Sequence, residues 1–261
     1  MRGTGRGRLL VALALASGVL LAGTGADACE TAAPGVLFEV CQGEGRAEVL
    51  LLPDAWPPDP PTGQELIVTG AYTGTDQRAD GAPAPVGLMI VEGRVVGRTI
   101  ARMDGVLLIE PSTGQPRLNR RGAVRLGGQR YDLGPLESRR AFLKAAAAAG
   151  ISALQSHLLV IDGRVDTRPV TGAPEAVRRI FFVKGESFGI WQSADPLTLD
   201  AAARAIARDV APDMALNLDM GSYDFCLHRA PAAPDLACGA LSAGRRLDPR
   251  LSNLLRLAVK P

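Results

Sequence analysis

The 261-residue chain has little of what marks several common function classes. It holds only two histidines, His157 and His228, and only four cysteines, with no Cys-x-x-Cys and no Cys/His cluster at metal-ligand spacing. A zinc site of the usual kind is therefore excluded. No Gly-x-Ser-x-Gly elbow and no phosphate-binding glycine loop occurs, so the familiar serine hydrolase and nucleotide-binding motifs are missing. Basic residues are nowhere interleaved with aromatics, which are 4% of the chain, and this argues against a nucleic-acid surface. The sequence has no apolar run of 18 or more residues to span a membrane once the N-terminal segment is removed.

That N-terminal segment is the clearest feature present. Arg2, Arg6 and Arg8 precede the uncharged apolar run 9–21, and Ala26-Asp27-Ala28 follows in the small-x-small pattern of a signal peptidase site. The run is short of the about 20 apolar residues a helical span needs. Residues 1–28 are therefore expected to be a signal peptide, leaving residues 29–261 as a single domain that is periplasmic or secreted, with no membrane span. Lipid anchoring at Cys29 is the less favoured alternative, because Ala26 stands where a large aliphatic residue is wanted. The whole chain carries 29 Lys+Arg against 27 Asp+Glu. Removing three Arg and one Asp with the signal leaves 26 against 26, so the basic excess belongs to export and not to a nucleic-acid partner.

Export makes disulfides favourable. Cys29 and Cys41 are 12 positions apart, as are Cys226 and Cys238. Four cysteines allow three connectivities, of which local pairing is the simplest. Each local loop would stabilise the fold by about 3 kcal/mol on the chain-entropy account.

Strand patterns dominate, with helices interleaved later. Segments 49–52 and 66–68 are short apolar strands separated by the Pro-rich loop 53–61, and residues 76–85 have the composition of a surface loop. Glu92-Gly93 and Asp162-Gly163 separate apolar runs from short continuations, the signature of tight hairpins. A third hairpin is expected from 180–183 and 188–191. Residues 137–149 form an Ala-rich helix stopped by Gly150. Thr198 caps a second helix whose stripe is Leu199, Ala202, Ala203, Ile206 and Val210. Pro212 ends it, and Ala215 to Asp219 follows as a strand. The state of 251–259 is left open. The expected class is α/β in the α+β sense: a mixed, largely antiparallel sheet built from hairpins, with helices laid on it and two local disulfides.

Four segments carry a family resemblance. They are Val68-Thr69-Gly70-Ala71-Tyr72; Pro85-Val86-Gly87-Leu88 with Glu92-Gly93; Gln155-Ser156 with Leu158 to Gly163; and Ala215-Leu216-Asn217-Leu218-Asp219-Met220-Gly221-Ser222. In this order they resemble the phosphodiester glycosidase domain family, which includes many exported bacterial proteins. The resemblance runs from about Leu66 to Ser222. Three departures stand out: Thr69 replaces an Asn, Met220 replaces the first Gly of an Asp-Gly-Gly turn, and His157-Leu158 replaces Gly-Pro. The resemblance implies a hydrolase that splits a sugar from a phosphate, with a sugar phosphate or cell-envelope glycan as ligand. The alternative is a catalytically impaired relative that only binds such a glycan.

Asp219 is the foremost catalytic candidate, because a carboxylate between an apolar strand and a Gly turn sits at a sheet edge and can transfer protons or hold a sugar hydroxyl. Asn217 shares its face if the segment is extended. Thr69, Gln155 and Ser222 are expected to position substrate, and Arg178 or Arg179 to neutralise phosphate through the planar guanidinium. His157 draws attention by rarity, but Ser156 beside it would point to the opposite face. A divalent cation is compatible with these groups, and no motif requires one.

Overall fold

The structure, a computed structural model, describes residues 33–56, 59–221, 224–231, 235–238 and 247–260. The expected signal peptide, Cys29 and Ser222 lie outside the described residues.

The chain is largely β, with two α-helices among the described residues: α1 (Leu136–Ala148) and α2 (Leu199–Asp209). The expectation of one mixed, largely antiparallel sheet holds in its dominant strand direction and is corrected in the number of sheets and in the parallel share. Among the described residues there are three principal sheets, and every ladder between named strands is antiparallel. The hairpins explain the direction. At Glu92-Gly93 both residues have positive φ, +49° and +80°, and at Asp162-Gly163 they have +50° and +71°, the backbone of tight two-residue turns that return each strand on itself.

The six-stranded sheet contains the hairpin Arg179–Lys184 and Ser187–Gln192, with Met214–Asn217 beside it and Leu158–Ile161 beyond. A five-stranded sheet centres on Ser152–Ser156, between Met89–Val91 and Gly105–Ile109. A second five-stranded sheet centres on Glu65–Thr69, between Cys226–Arg229 and Asn253–Val259. The C-terminal segment left open above is thus an interior strand, which also pairs with Gly45–Leu51. Residues 76–85 are not wholly loop, since Thr73–Gln77 pairs with Pro83–Pro85.

Strand alternation sorts the side chains into cores. Phe181, Leu216, Leu154, Leu107, Leu66 and Leu255 come from all three sheets and pack in one cluster. Their neighbours point the other way: Ile180, Phe182 and Ala215 meet Ala202, Ala203 and Ile206 of α2, while Val106, Leu108 and Ala153 meet Phe142 and Ala146 of α1. Strands buried on both faces need apolar residues at consecutive positions, which accounts for the uninterrupted run Ile180 to Val183. Thr198 caps α2 as expected, its Oγ1 accepting from Ala201 N at 3.2 Å. A disulfide joins Cys226 to Cys238, Cα atoms 5.2 Å apart, and Cys41 is also disulfide-bonded.

The three sheets come together where their strands end. His157 lies between strand Ser152–Ser156 of one sheet and strand Leu158–Ile161 of another. Tyr72 lies just beyond strand Glu65–Thr69, and Leu218 and Asp219 just beyond Met214–Asn217.

Candidate functional site

Backbone bonds lock the Tyr72 turn to the Asp219 turn. Asp219 N donates to Gly70 O at 3.0 Å, tying the end of one sheet to the end of another. Asn253, which the sequence does not mark, completes the clamp: its Oδ1 accepts from Ala71 N at 2.8 Å and its Nδ2 donates to Ala71 O at 3.0 Å. A Cβ at position 70 would stand 2.4 Å from that Oδ1, so this approach requires Gly70.

Asp219 is buried in this junction. Its Oδ1 accepts from Gly221 N at 2.9 Å and its Oδ2 from Thr73 N at 3.4 Å. Loss of water raises its pKa above the usual carboxylate value, and the nearby Asp224 adds to the rise, while the backbone donors oppose it. The carboxyl therefore closes two turns as well as sitting at the sheet edge.

Tyr72 connects this acid to open space. Asn217 Nδ2 donates to Tyr72 Oη at 2.6 Å and to Leu218 O at 2.8 Å. The second bond sets the amide orientation, because only the nitrogen can donate to a carbonyl. Tyr72 Oη is then an acceptor from Asn217 and keeps its own proton for another partner. Asn217 Oδ1 is buried and has no partner among the described residues. The phenol pKa is pushed up to about 12, first by burial and then by the Asp219 charge, with Arg178 and the Asn217 hydrogen bond pulling the other way. Tyr72 is a proton-bearing donor at any ordinary pH.

The Tyr72 ring lines a cavity of about 650 Å³, a size suited to a small ligand. His157, Arg178, Asp104, Arg102 and Arg168 also line it. Arg178 is held by two carbonyls: Nε donates to Leu197 O at 2.8 Å and one Nη to Pro174 O at 2.7 Å. No carboxylate pairs with it among the described residues, so its charge is positioned but not neutralised. His157 is half-buried with its ring edge-on to Tyr72, centroids 6.2 Å apart. Burial lowers the imidazole pKa below its ordinary value, Asp104 opposes this, and Arg178 reinforces it. His157 is consequently neutral at pH 7.

Several residues expected at the site are committed to other bonds. Thr69 Oγ1 accepts from Phe225 N at 2.8 Å and donates to Phe225 O. Gln155 is fully buried; its Oε1 accepts from Leu88 N and Ala101 N, and its Nε2 donates to Ala101 O and Met103 O. That clamp explains Gly87, where a Cβ would lie 2.6 Å from Gln155 Oε1. Arg179 is also fully buried, pairing with Asp224 at 2.5 Å and with Gln192. Of the two adjacent arginines only Arg178 lines the cavity, since neighbours on an extended strand project to opposite sides. Asp219 is not among the lining residues, whereas Tyr72 and His157 are. Within the described residues no group of three or more His, Cys, Asp or Glu side chains is gathered to hold a metal ion.

No family model matches the chain, and no curated protein matches it in sequence. Solved structures show distant likeness. The catalytic domain of zebrafish N-acetylglucosamine-1-phosphodiester alpha-N-acetylglucosaminidase, auto-inhibited by its pro-peptide, aligns at 14% identity with a TM-score of 0.42, over 75% of this chain and 63% of that one. A hypothetical protein from Synechocystis aligns at 12% identity and TM-score 0.41, over 83% of this chain and 57% of its own. A candidate exported protein from Burkholderia pseudomallei aligns at 13% identity and TM-score 0.49, over 83% and 71%. The chain thus spans less than two thirds of the first two.

Proposed function

We propose that the protein is an exported hydrolase of the phosphodiester glycosidase type, acting on the bond between a sugar's anomeric carbon and a phosphate. The observation that carries this reading is Arg178, a guanidinium fixed by two backbone carbonyls on a cavity wall with no carboxylate to neutralise it among the described residues. A preset cation of this kind suits a phosphodiester, because little side-chain freedom remains to be lost on binding. Arg102 and Arg168 also line the cavity, as do Asp104, Asp166 and Asp200, of which Asp166 pairs with Arg120 and Asp200 with Arg204. Beside them Tyr72 offers its proton to a sugar hydroxyl or phosphate oxygen. Asn217 holds Tyr72 and Asp219 tunes it from behind the lining, and of the four family-like segments those of Tyr72 and Leu158 line the cavity. Thr69, Gln155 and Arg179 are bonded within the fold and do not line the cavity. The Cys226–Cys238 disulfide fits an oxidising compartment outside the cytoplasm, and no helix among the described residues is long and apolar enough to cross a membrane.

The test is release of free reducing sugar from a panel of hexose 1-(methyl phosphate) diesters. Turnover with a raised KM in Arg178→Met supports the reading. Equal rates for wild type and Asp219→Asn would remove Asp219 from the mechanism. Binding of envelope glycan without turnover is the second reading, favoured by the backbone donors that occupy the Asp219 carboxyl. Saturable binding of the diesters with no sugar released would establish it; absence of both binding and release refutes both readings.

A further inference from the structure

We infer that His157 is the general base of this cavity, taking a proton from the water that attacks the sugar phosphodiester. The inference rests on the hydrolase reading above and adds the proton acceptor that reading lacks. Asp219 is poorly placed for the task, since its two carboxyl oxygens accept backbone N–H bonds and the residue does not line the cavity. His157 does line it, and its ring nitrogens have no hydrogen-bond partner among the described residues. In a neutral imidazole one of those nitrogens is a free acceptor.

The backbone holds the residue where this matters. His157 O accepts from Asn217 N at 2.9 Å, and the next amide, Leu158 N, donates to Asp104 Oδ1 at 3.0 Å. The corner is pinned on both sides, and its side chain lines the cavity with Arg178 and in edge-on contact with Tyr72. The other titratable and charged groups lining the cavity are Tyr72, Arg102, Asp104, Asp166, Arg168, Arg178 and Asp200, the last paired with Arg204. Asp166 is engaged by Arg120. Burial disfavours the imidazolium most, Asp104 favours it and Arg178 disfavours it, so the imidazole is held in its neutral, proton-accepting form. The family-like pattern has Gly at this position, so the base would belong to this chain's own site.

In the step, His157 removes a proton from water as the water oxygen bonds to the anomeric carbon. The bond from that carbon to the phosphate oxygen breaks, and its electron pair leaves with the phosphate monoester. Arg178 offsets the negative charge gained there. The products are free sugar and a phosphate monoester, and the proton passes from His157 to solvent.

His157→Gln, with a similar volume and no basic nitrogen, tests the assignment in the full mature chain. For hydrolysis of the hexose 1-(methyl phosphate) diesters, kcat is expected to fall 10²- to 10⁴-fold, the usual range for a lost general base. KM should change little, and the acidic limb of the kcat/KM profile should vanish. Imidazole proton NMR supplies a readout independent of turnover. With two histidines in the chain, one ring resonance should shift on adding glucose 1-phosphate and be missing in His157→Gln, while the His228 ring, packed on Phe38, stays constant. Wild-type turnover with an unchanged rate and pH profile in His157→Gln overturns the base assignment and leaves the hydrolase reading standing. No turnover by wild type, with the resonance still shifted by the ligand, overturns both the hydrolase reading and the base and leaves a glycan-phosphate binding site. An unshifted resonance overturns the placement of His157 at the ligand.

Discussion

The side-chain amide of Asn217 donates to the hydroxyl of Tyr72 at 2.6 Å, although 145 positions separate the two residues. The bond joins the ends of two different sheets and leaves the phenol proton free for a ligand. Burial and the Asp219 charge raise the phenol pKa, while Arg178 lowers it. In alkaline absorbance titration Tyr72 should ionise near pH 12. Asp219→Asn should bring that value down, and Arg178→Met should move it up. Because the folded pKa exceeds the ordinary 10.0, stability from this group is complete below pH 10 and is lost as pH rises through about 12. Tyr72→Phe should remove that part of the alkaline loss.

His157 and Asp219 should act with opposite sign in acid. The His157 pKa is depressed from 6.5, so its contribution is present above that pH and is lost as pH falls through the folded value. His157→Gln should flatten the decline of Tm below pH 6.5. The Asp219 pKa is raised from 3.8, so its contribution is full below that pH and fades as pH rises through the folded value. Wild type should therefore lead Asp219→Asn by more at pH 3 than at pH 7. A constant difference in Tm would contradict the buried, raised carboxyl.

Arg179 and Asp224 form a buried ion pair. Asp224→Ala strands a buried guanidinium and should cost about 3–5 kcal/mol in urea unfolding. The double variant Arg179→Met, Asp224→Leu should recover most of that loss, since well-packed apolar residues often replace a buried pair without penalty. If the two single costs simply add in the double variant, the pairing is absent in solution.

Gly87 has φ +89° and faces the Gln155 amide. Gly87→Ala should lower stability by about 1–3 kcal/mol from backbone strain, with a further loss if the Gln155 clamp is displaced. Thermal unfolding measures it, and an unchanged Tm would show that the turn relaxes.

Much of the local structure is legible along the chain. The Glu92-Gly93 and Asp162-Gly163 turns follow from residues tolerant of positive φ, and α2 follows from Thr198 and its apolar spacing. These features depend on neighbours a few positions apart. The division into three sheets was not legible, because strands buried on both faces lose the period-two pattern that would tell one sheet face from another. Strand Asn253–Val259 shows the same difficulty, since its place between Gly45–Leu51 and Glu65–Thr69 depends on partners from the other end of the chain.

The candidate site groups divide in the same way. Residue chemistry marked Asp219, Asn217 and the rarity of His157 and excluded nucleotide loops and zinc motifs, while the family resemblance pointed to the arginine pair. Only tertiary structure separated Arg178, which faces the cavity, from Arg179, which is spent on Asp224. It also turned Gln155 and Thr69 into backbone clamps, revealed Asn253 as the partner that Gly70 makes room for, and set Tyr72 between Asn217 and open space. The physical reason is that a side chain's type determines which bonds it can make, whereas the partners bonded by Gln155, Thr69, Tyr72 and Asn253 lie 52 to 182 residues away and are brought into reach only when the sheets pack.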